Sequence, residues 1–196
     1  MNANLIVIVA AAAVLLSFAW GMVWHFRRPG QLSPGARRTA ALGSLSAAVH
    51  LYGVATHGEG WPGLSVPLYC GSAVLFWWAV TVSRQRLQAC FCGGGETELV
   101  LAGPYRWIRH PFYAAYGLAW LAGVLATLWW PTLLTAAAMC HIYWRAARAE
   151  EDALREGPVG KRYREYQRRA GQFWPASWRG YGLGEERIRP RDSMSS

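Results

Sequence analysis

The chain has 196 residues, of which 53% are hydrophobic and 12 are Trp, and its formal net charge is +9. This apolar and aromatic content exceeds what a soluble domain of this length needs, which argues against an ordinary soluble protein. Nucleic-acid binding is the rival explanation of the charge. We predict no nucleic-acid partner, because the basic residues fall between apolar runs, where anionic lipid headgroups are the expected neighbours.

Five apolar runs organise the sequence. The clearest covers residues 5–26 and approaches the ~20 residues that cross a bilayer. No basic segment precedes it, so we expect an anchor rather than a cleaved signal peptide. Four weaker candidate spans follow at 40–56, 66–82, 112–130 and 132–147. The sequence therefore predicts an all-α integral membrane protein, with about five transmembrane helices in a single domain over residues 1–196.

The basic residues predict an orientation. With the N-terminus outside and the C-terminus inside, all 20 Lys and Arg fall on the inner side, within 27–39, within 83–111 and after about residue 145. The positive-inside rule asks only for an excess, so this partition supports both the span count and the orientation. Arg outnumbers Lys 19 to one, which favours a GC-rich bacterial genome. We expect a bacterial inner-membrane protein whose active site faces the cytoplasm.

Metal and phosphate motifs are weak. Cys90 and Cys92 form a C-x-C without a second cysteine pair or a histidine cluster, so no metal site is predicted. The glycine run at 93–95 matches neither common phosphate-binding fingerprint, and a turn is expected there. At the C-terminus, we expect a disordered tail over 185–196.

The dipeptide His110-Pro111 predicts the start of the fourth span. A residue before proline avoids the helical region, and proline is favoured at the first helical position. His110 should therefore lie at the N-cap, with Tyr113 roughly on the same face one turn later. The positive end of this helix suits a carboxylate or another anion.

A helical hairpin should bring His110 opposite Glu150. Trp130 lies in the predicted turn, 20 residues from each of them. Both arms rise ~1.5 Å per residue and so return to about the same depth. Ionisable residues at that depth usually face the bundle interior and mark function. The simpler alternative is that Arg106 and Arg109 reach lipid phosphates, while the acidic pair is merely solvated.

Two segments, GPYRWIRHPFYAAY (103–116) and RAEEDALREGPVGKRYREYQRRAGQFWP (148–175), carry a family resemblance. Together they resemble the isoprenylcysteine carboxyl methyltransferases and their phospholipid methyltransferase relatives. Those proteins pair an RHPxY segment with an EE pair and a later G-x-x-Y-x-x-Y helix. The resemblance covers about 95–175. The stretch between Glu151 and Gly160 departs from the pattern, being about one residue longer than usual and lacking a Phe before the glycine.

The resemblance implies an S-adenosylmethionine-dependent methyltransferase. It implies a cofactor pocket at the cytosolic face between the fourth and fifth spans, followed by a C-terminal amphipathic helix. Glu150 would be the cofactor carboxylate, with Glu151 as its neighbour. The remaining cofactor-binding residues implied are Thr97, Glu98, Leu99 and Val100 in one wall, and Tyr105, His110, Pro111 and Tyr113 around the nucleoside and amino-acid parts.

The acceptor would be a hydrophobic small molecule or lipid that enters from the bilayer. A carboxylate acceptor, such as an isoprenoid or prenylcysteine-like compound, would be held by Arg145 or, as second choice, Arg148. An amine acceptor needs a base, for which Glu151 and His110 are the candidates. Two alternatives stay open: an NADPH-dependent membrane reductase, and a non-catalytic membrane subunit that binds lipid or a partner.

Overall fold

Helices account for most of the described chain. A computed structural model describes residues 3–25, 34–58, 60–91 and 99–176, and the tail predicted at 185–196 lies outside these ranges. The helices within them are α1 (Ala3–His25), α2 (Pro34–Thr56), α3 (Pro62–Phe91), α4 (Pro111–Thr127), α5 (Trp130–Glu156) and α6 (Gly160–Arg169), with a 3₁₀ turn at Gly103–Arg106. The described residues contain no β-strand, as expected for an all-α protein.

Proline residues set several helix boundaries. Pro111 begins α4 with His110 at the N-cap, as the sequence predicts. α2 begins at Pro34, inside the segment that the sequence analysis assigned to an inner loop, because proline at the first helical position is preorganised for a helix. Gly157 and Pro158 separate α5 from α6, because proline is unfavourable inside a helix. α5 itself runs to Glu156, well past residue 147, where its span was expected to end.

The α4–α5 hairpin closes through a very short turn. Leu128 adopts a left-handed conformation with φ of 47° and ends α4, and Trp129 is the N-cap of α5. The hydroxyl oxygens of Thr127 and Thr132 lie 2.8 Å apart and join the two helix ends by a hydrogen bond. This turn therefore determines which residues of α4 and α5 lie opposite each other along the hairpin.

The core lies where α3 packs against α1 and α4. Phe76 of α3 is fully buried, and its ring lies 4.5 Å from that of Phe18 in α1. On α4 the facing residues are small, including Ala115 and Ala119. Small residues allow helix backbones to approach closely, as is common between helices in membranes.

Many large apolar side chains of the described helices are exposed, whereas several interior positions are polar. Exposed side chains include Leu16, Val74 and Leu133, while His50 and Thr132 are buried. An extended apolar exterior of this kind marks a surface that contacts membrane or another protein.

Two of the described helices are long and apolar enough to cross a membrane. They contain Ala3–Met22 and Pro62–Ser83, with mean hydropathies of 2.5 and 1.4. α4 is apolar but shorter. The helices thus support two of the five predicted spans, and the other three, with the orientation, stay predictions.

Candidate active site

A glycine-dependent turn places the segment before α4. Gly103 has a φ of 57°, a conformation that favours glycine. A Cβ at this position would also lie 2.6 Å from the Val82 side chain of α3. From the 3₁₀ turn that follows, the carbonyl oxygen of Tyr105 accepts a hydrogen bond of 2.6 Å from the hydroxyl of Tyr166 in α6. The turn is therefore fixed from both sides.

The chain after α6 pairs with the RHP segment, which comprises Arg109, His110 and Pro111. Ile108 and Gly171 form a parallel bridge. The amides of Arg109 and His110 donate to the carbonyl oxygens of Gly171 and Gln172 at 2.8 and 3.1 Å. The C-terminal segment therefore forms part of the site wall.

Glu151 is the centre of a buried polar network. Its side chain is only 4% exposed. Its Oε1 accepts hydrogen bonds of 3.0 Å from both Arg109 Nε and His110 Nε2. Its Oε2 accepts from Arg155 at 3.2 Å and from Gln167 at 2.9 Å. Four donors thus occupy both carboxylate oxygens.

The electrostatics of this network keep Glu151 ionised. Burial alone would raise the pKa of its carboxyl group. The hydrogen bond and charge of Arg109, together with the hydrogen bond from His110, outweigh burial, so the pKa lies below its ordinary value. Arg109 is further held by the carbonyl oxygen of Ala170. Glu151 and Arg109 together tie the RHP segment, α5 and the chain after α6 to one another.

Glu150 has a different environment from its neighbour. Its side chain is 54% exposed, and its Oε2 lies 3.6 Å from His110 Nδ1. Its Oε1 accepts a hydrogen bond of 2.5 Å from the hydroxyl of Tyr113. The apposition of His110 and Glu150 matches the expectation from the equal arms of the hairpin, and Glu150 retains room for a further partner.

Burial shifts the protonation of two further site residues. It lowers the pKa of His110, and this effect outweighs the opposing influence of Glu150 and Glu151. Burial also raises the pKa of Tyr105 to about 12. Near neutral pH, His110 is therefore uncharged and Tyr105 keeps its phenolic proton.

An aromatic stack extends from the site between α4 and α5. The rings of His110 and Tyr113 lie 5.7 Å apart, and Tyr113 stacks on Tyr143 at 5.4 Å. The hydroxyl of Tyr143 accepts a hydrogen bond of 3.2 Å from Trp120 Nε1. The sequence analysis did not single out Tyr143. Its position seven residues before Glu150, and hence on the same helix face, was an available signal.

The two predicted acceptor-binding arginines lie away from this cluster. α5 buries Met139, Tyr143 and Ala147, and Arg145 and Arg148 are exposed on the remainder of its surface. The Arg148 guanidinium lies over the Trp144 ring at 4.5 Å. Among the described residues, the arginines that contact Glu151 are Arg109 and Arg155.

The structure describes only part of the predicted cofactor-pocket wall that precedes the RHP segment. Leu99 is buried and Val100 is half-buried. Thr97 and Glu98 lie outside the described residues. The roles of these four residues stay predictions.

Comparison with known families bears on this site. Residues 64–157 match the family model described as phospholipid methyltransferase. This part of the chain is therefore similar to the phospholipid methyltransferases. The match contains both the RHP segment and the acidic pair, and it confirms the resemblance drawn from those motifs. No curated protein and no solved structure matches the chain.

The match to this family indicates a methyltransferase that acts on a lipid-type substrate. Together with the two apolar helices, it also indicates a membrane protein. The match ends at residue 157, so α6 and its contacts with the RHP segment lie beyond it.

Proposed function

We propose that this protein transfers a methyl group from S-adenosylmethionine to a hydrophobic, membrane-resident acceptor. The observation that carries the proposal is the half-exposed Glu150 carboxylate beside His110 and Tyr113, inside the stretch that matches a methyltransferase family. A carboxylate with an unused oxygen at such a position suits a cationic ligand.

The residues present fit the proposed cofactor. S-adenosylmethionine carries an ammonium group and ribose hydroxyls, which Glu150 can bind through charge-assisted hydrogen bonds. Its sulfonium is a second cation, and aromatic faces attract cations within ~6 Å. Tyr113, whose hydroxyl contacts Glu150 and whose ring stacks on that of Tyr143, supplies an aromatic ring there. When bound, the cofactor would supply an electrophilic methyl group.

The protein's contribution would be alignment and exclusion of water. Tyr113 holds Glu150 through the hydroxyl hydrogen bond, and Phe173 approaches His110 with its ring centre at 6.0 Å. Fixing both ligands and removing water lowers the barrier without a strong acid or base, provided that the acceptor is already nucleophilic.

The acceptor is best supported as an amine-bearing lipid. An amine must lose a proton during methylation, and His110 Nδ1 and Glu150 Oε2 are near each other to receive it. Glu151, the other proposed base, already accepts four hydrogen bonds. A carboxylate acceptor held by Arg145 or Arg148 finds less support, since both side chains are exposed away from Glu150.

Calorimetric titration of the detergent-purified protein tests the cofactor. We expect binding of S-adenosylhomocysteine and none of NADPH. Binding of NADPH alone would favour the reductase alternative, and binding of neither would favour a non-catalytic subunit. Incubation with labelled S-adenosylmethionine and separate amine-lipid and isoprenoid-carboxylate acceptors then tests the substrate, with label expected in the amine lipid.

We further propose that the site faces the cytoplasm of a bacterial inner membrane. All 20 Lys and Arg fall in segments predicted to lie on the inner side of the membrane, which supports this orientation. Reporter fusions after residue 58 and at the C-terminus test it, and a cytoplasmic signal at residue 58 would contradict it.

A further inference from the structure

The paired glutamates constrain the protonation of His110. Glu151 is ionised and has only acceptor oxygens, and its Oε1 lies 3.0 Å from His110 Nε2. A hydrogen bond at this distance requires the imidazole proton to be on Nε2. Because burial keeps His110 uncharged near neutral pH, the ring has no second proton.

The opposite ring nitrogen then meets a second acceptor. Nδ1 carries a lone pair, and it lies 3.6 Å from Glu150 Oε2. Two acceptors cannot hydrogen-bond to each other. The nearby Tyr113 hydroxyl donates instead to the other oxygen of Glu150. A ligand that binds both Nδ1 and Oε2 must therefore present hydrogen-bond donors to them.

We propose that Glu151 is a positioning residue that fixes His110 in its Nε2–H tautomer, so that His110 Nδ1 and Glu150 Oε2 form an acceptor pair for an ammonium or amine. The inference rests on the proposed function for the identity of its ligands. Either the amino-acid ammonium of the methyl donor or the amine of the acceptor supplies the required N–H groups.

The surroundings of His110 determine its response to pH. Glu150 and Glu151 face it from α5, Arg109 precedes it in the chain, and Tyr113 faces it from α4. Phe173 from the C-terminal segment adds an uncharged ring. Protonation would turn Nδ1 into a donor toward Glu150. Because burial lowers the pKa of His110 from 6.5, ligand affinity should be highest at neutral pH and above, and should fall as the ring becomes protonated at acidic pH.

Nitrogen NMR of the histidine-labelled full chain reads the tautomer directly. The chain has five histidines, and comparison with His110→Ala identifies the signals of interest. At pH 7.5 we expect a protonated Nε2 and an unprotonated Nδ1. A proton on Nδ1, or a doubly protonated ring, would overturn the inference without touching the proposed function.

Glu151→Gln tests the positioning role in the folded protein. We expect mixed His110 tautomers and an affinity for S-adenosylhomocysteine that is about 10- to 100-fold lower. Losses of this size are seen at metal sites when the residue that orients a metal-binding histidine is removed. Glu156→Gln is the matched control, because this residue is exposed at the end of the same helix. Unchanged tautomer and affinity in Glu151→Gln would contradict the positioning role.

A deaminated cofactor analogue identifies the source of the N–H groups. Binding of S-adenosylhomocysteine at least tenfold tighter than the analogue would assign them to the methyl donor. Equal binding, with a raised KM for the amine lipid in Glu151→Gln, would assign them to the acceptor. Equal binding without that change in KM would overturn the inference. Failure of the wild type to bind S-adenosylhomocysteine would instead overturn the proposed function, and the tautomer would still be measurable.

Discussion

The two ends of the α4–α5 hairpin are held together by different chemistry. At the Trp129 end the side-chain hydrogen bonds are neutral: Thr132 donates to the Trp129 carbonyl oxygen at 2.6 Å, and the Thr127 hydroxyl lies 2.8 Å from that of Thr132. At the Glu150 end the contacts are ionic and join distant parts of the chain, as when Arg109 donates to Glu151.

This difference separates stability from function within one hairpin. The hydroxyl groups of the two threonines find their hydrogen-bond partners within the turn itself. The Glu150 end instead combines a saturated carboxylate, Glu151, with a half-exposed one, Glu150. Burying a charge costs more free energy than burying a neutral polar group. The buried charges at the Glu150 end therefore indicate that this end has a function. Substitutions at the Glu150 end should therefore change ligand binding, and those at the Trp129 end should change stability alone.

The largest expected effect is on cofactor binding. Glu150→Ala and His110→Ala each remove one member of the acceptor pair, and we expect S-adenosylhomocysteine binding to fall below calorimetric detection in both while the folded protein is retained. Thr127→Ala, at the opposite end of the hairpin, is the control and should bind normally. Normal affinity in both site variants would refute the assignment of this site.

The next effect is on stability. Glu151→Ala leaves the charge of Arg109, whose side chain is only 13% exposed, without its carboxylate partner, and breaking such a pair costs about 3–5 kcal/mol in the free energy of unfolding. Chemical denaturation in detergent measures it, with the exposed Glu156→Ala as control. Because folding lowers the pKa of Glu151 from 4.5, its stabilisation is present above pH 4.5 and is lost as the pH falls through the folded pKa. The variant should therefore lose this acid sensitivity.

The main outline of the hairpin follows from local sequence rules. A residue before proline avoids the helical conformation, so His110-Pro111 predicts the start of α4. The equal lengths of the two arms predict that His110 and Glu150 lie opposite each other. Gly157-Pro158 likewise predicts the end of α5. In each case neighbouring residues, or simple helical rise, determine the outcome.

The different roles of the two glutamates could not be predicted in this way. Adjacent helical residues point about 100° apart, and the absolute rotation of α5 decides which of them is buried. That rotation depends on contacts such as Gln167 with Glu151, which come from a separate helix. The exposure of Arg145 was easier to predict. It lies two residues from the buried Tyr143 and thus on nearly the opposite face of the helix.

A smaller effect should appear at the Trp129 end. Gly123 packs against the His50 ring, and an added Cβ would also lie 3.2 Å from the Tyr69 hydroxyl. Gly123→Ala should lower the free energy of unfolding by about 1–3 kcal/mol through overpacking. We expect no change in S-adenosylhomocysteine affinity, as measured by titration of the folded variant. A tenfold loss of affinity without unfolding would show that the two ends are coupled.

The smallest effect compares two tyrosines of one stack. Tyr113→Phe removes the hydroxyl that donates to Glu150, and Tyr143→Phe removes the hydroxyl that accepts from Trp120. Each loss is worth about 0.5–1.5 kcal/mol, or up to ~3 kcal/mol where a charge is involved. We expect Tyr113→Phe to weaken S-adenosylhomocysteine binding by about three- to tenfold, a fold-change within that range. Tyr143→Phe keeps the same aromatic face but does not touch Glu150, so it should reduce stability and leave affinity unchanged. Equal losses of affinity in the two variants would mean that the aromatic stack, rather than the orientation of the Glu150 carboxylate, determines binding.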